Sequence, residues 1–451
     1  MKAYLEIIRL VWPLALGMVN NAVMQSVDRA YLARSSMECL EAVLPATALA
    51  WLFLGFFQSV VGYAGVFVAQ YHGAGSRAAC VKSYRVALAL AGAAGALMLP
   101  IAIWGGRLLG LTGASAGVVN LAEGYFRVAA FGGVFVFGHI AASSFFTGMG
   151  RTRIVFWVNL AGNLLNILLD PLFIFGELSC GEFSIPCLGL GMKGAAYATV
   201  ISQAVQLAAL AIAARRVTRT VGKEDADIPS AWELAKRVLR FGLASGGYEV
   251  LNMLSFTIFV FVTGGVGGLE LAVSNTCFTV NFLLFAPMIG FSVGAQTLVG
   301  QAMGRGDPAE AALAVRRTMI LGLAFVATLA TVVLLLHRPI LSFYAPSDPA
   351  ARSQFISLGF RLMTLMFTWL LLDSADMIYS GALKGAGDTR FVFWWMLVCS
   401  FAIWMPLVFM ARQFFNTMPT LWSTMVAYVV VICAGSAIRW RRGRWKTHRL
   451  V

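Results

Sequence analysis

Long apolar stretches recur along the whole chain, and they restrict its fold more than any other feature of the sequence. Each runs for roughly 20 or more residues, enough for a helix to cross a hydrocarbon core about 30 Å thick. Backbone groups find no water in lipid, so such stretches must be helices, which satisfy their N–H and C=O groups internally. Only 12% of the 451 residues are charged, about half the share in soluble domains. The sequence therefore predicts an all-α, polytopic membrane protein.

We expect twelve membrane-spanning helices. The apolar stretch near the N-terminus is the first of them, because it is too long for the core of a signal peptide and lacks a small-residue cleavage site. The predicted spans are 9–33, 43–70, 84–107, 120–147, 154–176, 190–214, 236–264, 269–300, 312–337, 353–383, 391–412 and 418–439.

The two halves of the chain repeat each other. Residues 70–75 match residues 301–306 at an offset of 231, and residues 148–157 match residues 385–394 at an offset of 237. Both pairs fall in connections on the same side, so the halves run in the same direction and enclose a central cavity. The predicted organisation is a six-helix lobe at 1–214, a linker at 215–235, a second six-helix lobe at 236–440 and a basic tail at 441–451.

The net charge of +14 follows from the topology. Most of the 34 Lys and Arg residues lie in the termini and the even-numbered connections, and short loops rich in these residues stay in the cytoplasm. Both termini are therefore predicted to be cytoplasmic, in the inner (plasma) membrane of a bacterium. The expected partner is the lipid bilayer and not nucleic acid, which would need a basic face on a soluble domain. We expect a monomer.

Two cysteines, Cys180 and Cys187, share a polar loop that this topology places outside the cell. A disulfide could form there, but the spacing leaves open whether it does. The four histidines, His72, His139, His337 and His448, have no metal-binding spacing.

Five acidic residues fall inside the apolar stretches: Asp28, Asp170, Glu249, Asp373 and Asp376. A carboxylate at the centre of a membrane helix costs ~2.5–3.5 kcal/mol on insertion scales, so these side chains must face the bundle interior or a water-filled cavity. Neutral side chains could hold the helices together at lower cost. We therefore favour a functional role over a purely structural one.

Each acid belongs to a polar stripe, because residues three and four apart share one face of a helix. Carboxylates beside amide and hydroxyl oxygens can replace the hydration shell of Na⁺, and burial also favours a protonated acid. Negative charge beside aromatic rings suits an organic cation. The stripes are Asn21, Gln25 and Asp28; Asn159, Asn163, Asn166 and Asp170; Ser245, Glu249 and Asn252; and Trp369, Asp373, Asp376 and Ser380.

With these motifs, the chain resembles the multidrug and toxic compound extrusion (MATE) family along nearly its whole length. The resemblance rests on residues 27–28, 68–75, 148–153, 163–171, 194–199, 287–290 and 385–390. It implies two six-helix lobes around a central cavity. It also implies export of cationic, amphipathic drugs in exchange for inward-moving Na⁺ or H⁺.

The resemblance also implies two sites. In the N-terminal lobe the cation site falls on Asp28, Asn166, Asp170 and Thr199, and Na⁺ would bind at the first three. In the C-terminal lobe an acidic site for coupling ion or substrate falls on Glu249 and Asp373, with Asp376 and Trp369 on the same stripe. Two positions depart from the usual pattern: Arg29 follows Asp28, and Trp369 stands where some members have Tyr. Which lobe carries the coupling ion, and which ion it is, stay open.

Other functions fit less well. A flippase of lipid-linked oligosaccharides would favour a basic cavity, whereas the charges within these spans are mainly acidic. An enzyme would need a catalytic group of residues, and a receptor-like protein a sizeable domain outside the membrane. The sequence has no Walker A motif and no paired nucleophile and base. We expect neither enzymatic activity nor a cofactor beyond the coupling ion.

Overall fold

The computed structural model describes residues 2–180, 183–219, 228–447 and 450–451. Within these residues, eleven helices are long and apolar enough to cross a membrane. A bent pair of shorter helices, Ala116–Phe131 and Gly133–Gly148, accounts for a twelfth span. The predicted all-α fold with twelve spans is confirmed.

The structure contains sixteen α-helices in its described residues. Three of these eleven spans are built from more than one element. Met37–Gly73 consists of two helices, Arg77–Leu111 of a helix that continues into a 3-10 helix (Gly105–Thr112), and Thr389–Phe414 of two helices joined by a π turn at Val398–Trp404. The helices are α1 (Lys2–Ser35), α2 (Met37–Gly62), α3 (Ala64–Gly73), α4 (Arg77–Trp104), α5 (Ala116–Phe131), α6 (Gly133–Gly148), α7 (Thr152–Ile174), α8 (Met192–Thr218), α9 (Ala231–Thr263), α10 (Gly268–Gly304), α11 (Pro308–Leu335), α12 (His337–Tyr344), α13 (Pro349–Ala386), α14 (Thr389–Leu397), α15 (Met405–Phe414) and α16 (Met418–Arg441).

The fourth span differs from the single straight helix predicted for 120–147. It bends by 47° between α5 and α6, at the adjacent glycines Gly132 and Gly133. Val200 of α8 lies where a side chain of Gly132 would be. Sharp kinks in helices occur at such small-residue pairs, and a continuous apolar stretch gives no sign of them.

The chain divides into two compact units. One consists of residues 19–246 and the other of residues 1–18 with residues 247–450; we call them the N-terminal lobe and the C-terminal lobe. The sequence-based boundaries at 214 and 236 followed the polar linker instead. Each unit takes in the first part of one long helix, α9 in the N-terminal lobe and α1 in the C-terminal lobe.

Close packing between helices explains why the first part of α9 belongs to the N-terminal lobe and the first part of α1 to the C-terminal lobe. In the N-terminal lobe, the hydroxyls of Ser245 on α9 and Ser59 on α2 lie 2.9 Å apart and share a hydrogen bond. In the C-terminal lobe, the backbone at Ala15 of α1 occupies the space that a side chain at Gly290 of α10 would need. Small residues let helices approach closely in membranes, which fixes these helix ends to their lobes.

A short antiparallel hairpin follows α7. Its strands are β1 (Glu177–Cys180) and β2 (Phe183–Pro186), with Glu177 opposite Pro186. The side chain of Cys180 lies outside the described part of the structure, so its disulfide with Cys187 stays a prediction. His448 also lies outside the described residues.

Candidate functional site

The polar stripe predicted on α7 is buried within the N-terminal lobe. Asn163 is 3% exposed, and Asn166 and Asp170 are 0% exposed. An unpaired polar group in such a place is costly, so the partners of this stripe determine what it can do.

Asn166 joins two other residues predicted for the N-terminal cation site, Asp28 and Thr199. With its amide oxygen turned toward α8, it accepts a hydrogen bond from the backbone N–H of Thr199 at 3.2 Å. Its amide nitrogen then donates to Oδ1 of Asp28 on α1 at 3.0 Å. The Thr199 hydroxyl donates to the carbonyl of Ala195 at 3.0 Å, which leaves its oxygen lone pairs available to a ligand.

Asp170 completes the group predicted from the sequence. Neither of its carboxylate oxygens has a hydrogen-bond donor among the described residues, and the group that approaches it is the carboxyl of Asp28. Two such carboxyls can be accommodated side by side only if one holds a proton or a cation lies between them. The arrangement therefore suits a single monovalent cation, either H⁺ or Na⁺.

Two further residues lie within electrostatic range of this pair. One is Tyr125 of α5, which interacts electrostatically with both carboxyl groups. Arg29, the departure from the family pattern, is exposed and acts on Asp28 through its charge. The N-terminal site thus remains acidic despite an adjacent arginine in the sequence.

The rest of the α7 stripe forms a hydrogen-bonded network. Asn163 donates to Oδ1 of Asn21 at 3.5 Å and accepts from Nε2 of Gln206 at 3.3 Å. Gln206 is missing from the sequence-based site, although it lies seven residues after Thr199 and so on the same face of α8. This spacing could have identified it.

A second part of the network contains a buried histidine that the sequence analysis did not assign. Nε2 of His139 on α6 lies 2.9 Å from Oδ1 of Asn159 and 3.2 Å from the hydroxyl of Ser143. His139 is 7% exposed. Its contacts make it a structural partner of the stripe, at the opposite end of α7 from Asp170.

The acids of the C-terminal lobe lie around a lysine. Nζ of Lys384 is 3.4 Å from Oε1 of Glu249, and Asp376 lies within electrostatic range of the same ammonium group. Asp373 in turn lies near Asp376, and Ser436 of α16 adjoins the Asp376 carboxylate. The structure therefore brings the three predicted acids of this lobe together.

Lys384 is the member of this cluster that the sequence analysis missed. It stands beside the glycines of 385–387 and was assigned to a cytoplasmic connection. Helix α13 instead continues to Ala386, and steps of four residues lead from Asp376 through Ser380 to Lys384. Extending the stripe by one turn would have identified it.

Trp369 lies in the aromatic core of the C-terminal lobe. It is 3% exposed, and its ring packs 4.8 Å from that of Trp422 and 6.4 Å from that of Phe278, between ring centres. These contacts are those of a structural core residue. Its proposed part in coupling or substrate binding stays a prediction.

Comparison with known proteins adds a family and a fold. The family model described as MatE matches residues 13–172 and again residues 247–410, one match in each half of the chain. A probable multidrug resistance protein NorM from Bradyrhizobium diazoefficiens is 27% identical over 390 residues, covering 86% of this chain and 82% of that protein. A protein of the same description from Thermotoga maritima is 25% identical over 447 residues, covering 98% and 93%.

Solved structures share the fold. An outward-facing multidrug resistance MATE family transporter of the MOP superfamily superposes with a TM-score of 0.85 at 20% identity, covering 98% of this chain and 97% of that one. A MOP superfamily transporter from Pyrococcus furiosus, described as having a binding pocket of reversed polarity, gives 0.83 at 20% identity, covering 99% and 97%.

Proposed function

The chain belongs to the MatE family, and from this premise we propose that it is a secondary active efflux transporter. It exchanges organic cationic drugs or toxins for inward-moving Na⁺ or H⁺ by alternating access. It works as a monomer in the inner membrane of a bacterium, with both termini in the cytoplasm. The curated relatives named above are described as multidrug resistance proteins, which supports this class of cargo.

The paired carboxyls of Asp28 and Asp170 carry the proposal. Asp170 is fully buried and neither of its oxygens has a donor among the described residues. A buried, uncompensated charge is strongly unfavourable, so the pair binds a cation whenever it is shielded from water. Loading of that cation on one side of the membrane and release on the other would couple its gradient to export.

The C-terminal lobe supports an organic cation as the cargo. Its cluster has three acids and one lysine, so its formal charge is negative, and the ring of Tyr248 adjoins it. A delocalised organic cation is attracted by both the charge and the aromatic face. Of the buried ionic side chains in the described residues, Asp388 is paired with Arg439 at 2.7 Å, and the others are the acids Asp170 and Asp376 and the lysine Lys384. This balance does not favour the anionic head group carried by an oligosaccharide flippase.

Efflux from proteoliposomes tests this function. The purified protein, reconstituted in vesicles loaded with ethidium, should export the dye when a Na⁺ gradient or a pH gradient is imposed. Applying the two gradients separately identifies the coupling ion. Vesicles without protein measure the leak, and the exposed-acid variant Glu41→Gln serves as a matched control. Absence of export under both gradients, for ethidium and for other organic cations, would contradict the proposal.

A further inference from the structure

Lys384 has no part in the transport function proposed above, yet its surroundings are those of a bound ligand. Its Nζ lies 3.9 Å from the centre of the Tyr248 ring and 3.4 Å from Oε1 of Glu249. A carboxylate beside an aromatic face is an arrangement by which proteins bind the ammonium groups of ligands. The chain therefore contains an ammonium site that its own lysine occupies.

The acidic and aromatic groups around this site come from three helices. Tyr248 and Glu249 belong to α9, and Asp373 and Asp376 belong to α13. Helix α16 contributes Tyr428, which lies within electrostatic range of Asp376 and Asp373. With one lysine for three acids, the cluster keeps a formal negative charge even while Lys384 is in place.

Asp376 shows that the lysine does not satisfy the whole cluster. It is only 2% exposed, and its Oδ1 has no hydrogen-bond partner among the described residues. An unpartnered carboxylate oxygen at this depth attracts a further cation or hydrogen-bond donor. The cluster can therefore bind a second cation beside Lys384. It can also hold the Lys384 ammonium group once that group has moved away from Glu249.

The two partners of the ion pair differ in accessibility. The Glu249 side chain is 44% exposed, whereas that of Lys384 is 11% exposed. A ligand can therefore reach the open side of Glu249 while the lysine approaches it from the protein interior. Lys384 carries its charge on a flexible four-carbon stem, and Asp376 offers that charge a second partner.

We infer that Lys384 is a resident counter-ion at an ammonium site formed by Tyr248 and Glu249, and that an organic cation binds there by displacing it. This inference rests on the proposed function, since it takes the exported cation as the ligand. Displacement transfers the lysine ammonium toward Asp376 and gives the Tyr248 face to the ligand. When the ligand leaves, Lys384 returns, so the site is never without a cation and release is favoured.

Equilibrium binding to purified protein in lipid nanodiscs tests the displacement, with ethidium as the probe. If Lys384 occupies the site about nine-tenths of the time, removing its charge should tighten ethidium binding about tenfold. Lys384→Met should show this gain, and Lys384→Arg should bind as the wild type does. Lys193→Met, which removes an exposed positive charge, controls for the change in net charge. Adding Glu249→Gln to Lys384→Met should abolish the gain.

A second measurement needs no variant. Reductive methylation of the wild-type protein, followed by mass spectrometry, reports the accessibility of each lysine amine. Saturating ethidium should increase the rate of methylation of Lys384 and leave that of Lys193 unchanged. An equal or lower rate at Lys384 in the presence of bound ethidium would overturn the inference even if Lys384→Met does not fold.

The outcomes separate this inference from the proposed function. If the wild type binds and exports ethidium but Lys384→Met gains no affinity, the counter-ion role is wrong and the transport function stands. If only Lys384→Met binds ethidium, the resident lysine is supported and export of this cation by the wild type is not. If no form binds ethidium or any other organic cation, the ligand class is wrong and both proposals fail.

Discussion

The two lobes accommodate acidic side chains within apolar helices by different chemistry. In the N-terminal lobe, Asp170 faces the carboxyl of Asp28, and its oxygens have no donor among the described residues. In the C-terminal lobe, Glu249 already has a cation beside it, the ammonium of Lys384 at 3.4 Å. The first site needs an ion from solution, whereas the second carries one of its own.

This difference suggests a division of labour. Among the described residues no cationic side chain forms an ion pair with the Asp28 and Asp170 carboxyls, so this site depends on its ion at every step, which is the property required of a coupling site. A site with a tethered ammonium can rest without a ligand and still remain neutralised in part. We therefore expect the coupling ion to bind in the N-terminal lobe and the organic cation in the C-terminal lobe.

The largest expected effect comes from Asp170→Asn. The substitution removes the charge that makes the Asp28 pair bind a cation, so gradient-driven ethidium export should be abolished. Ethidium binding, assigned to the other lobe, should be unchanged. Efflux from proteoliposomes and equilibrium binding in nanodiscs measure the two properties, with Glu41→Gln as the control. Export at the wild-type rate would reduce Asp170 to a structural residue and remove the contrast between the lobes.

Glu249→Gln should give the converse result. The substitution removes the carboxylate from the ammonium site, and Asp373 and Asp376 remain as the acidic neighbours of Lys384. Loss of one partner of a hydrogen-bonded charge pair costs about 2–5 kcal/mol, so ethidium binding should weaken by at least about tenfold, with export lost in consequence. Na⁺ or H⁺ binding at the N-terminal site, measured by isothermal titration calorimetry in nanodiscs, should remain. Intact ethidium binding would place the cargo elsewhere.

Asn166→Ala should have an intermediate effect. Asn166 hydrogen-bonds Asp28 and the Thr199 backbone, and it therefore orients one of the two carboxyls without supplying charge itself. Removal of such an orienting partner weakens ion binding by about 10–100-fold in metal sites. The Na⁺ or H⁺ concentration that gives half-maximal export should rise, while the maximal rate persists. The exposed Asn120→Ala is the matched control, and an unchanged ion requirement would exclude this role.

The sequence was sufficient for the spans, because the length and composition of an apolar stretch directly reflect the thickness of the bilayer. Steps of three and four residues placed Asp28 on one polar stripe and Asn166 and Asp170 on another. That these three residues share one site with Thr199 followed from the resemblance to a family.

The features that sequence reasoning missed depend on contacts between helices. The bend at Gly132 follows from packing against Val200, which lies 68 positions further along the chain. Lys384 was missed for a different reason: a lysine next to a glycine-rich connection is usually solvated, and its burial depends on Glu249 and Tyr248 of another helix.

The smallest expected effect on transport comes from Trp369→Phe, which tests whether the aromatic member of the α13 stripe belongs to the site. Trp369 is 3% exposed and packs on Trp422 and Phe278. Replacing the indole with a smaller ring leaves a partly filled space and should lower stability by about 1–3 kcal/mol. Ethidium binding and export should be unchanged, because the ammonium site at Tyr248 and Glu249 keeps its own ring. Thermal unfolding in detergent measures the first property and proteoliposome efflux the second. A loss of ethidium affinity at unchanged stability would instead assign Trp369 to the substrate site, and would extend the C-terminal site from the Lys384 end of α13 into the aromatic core.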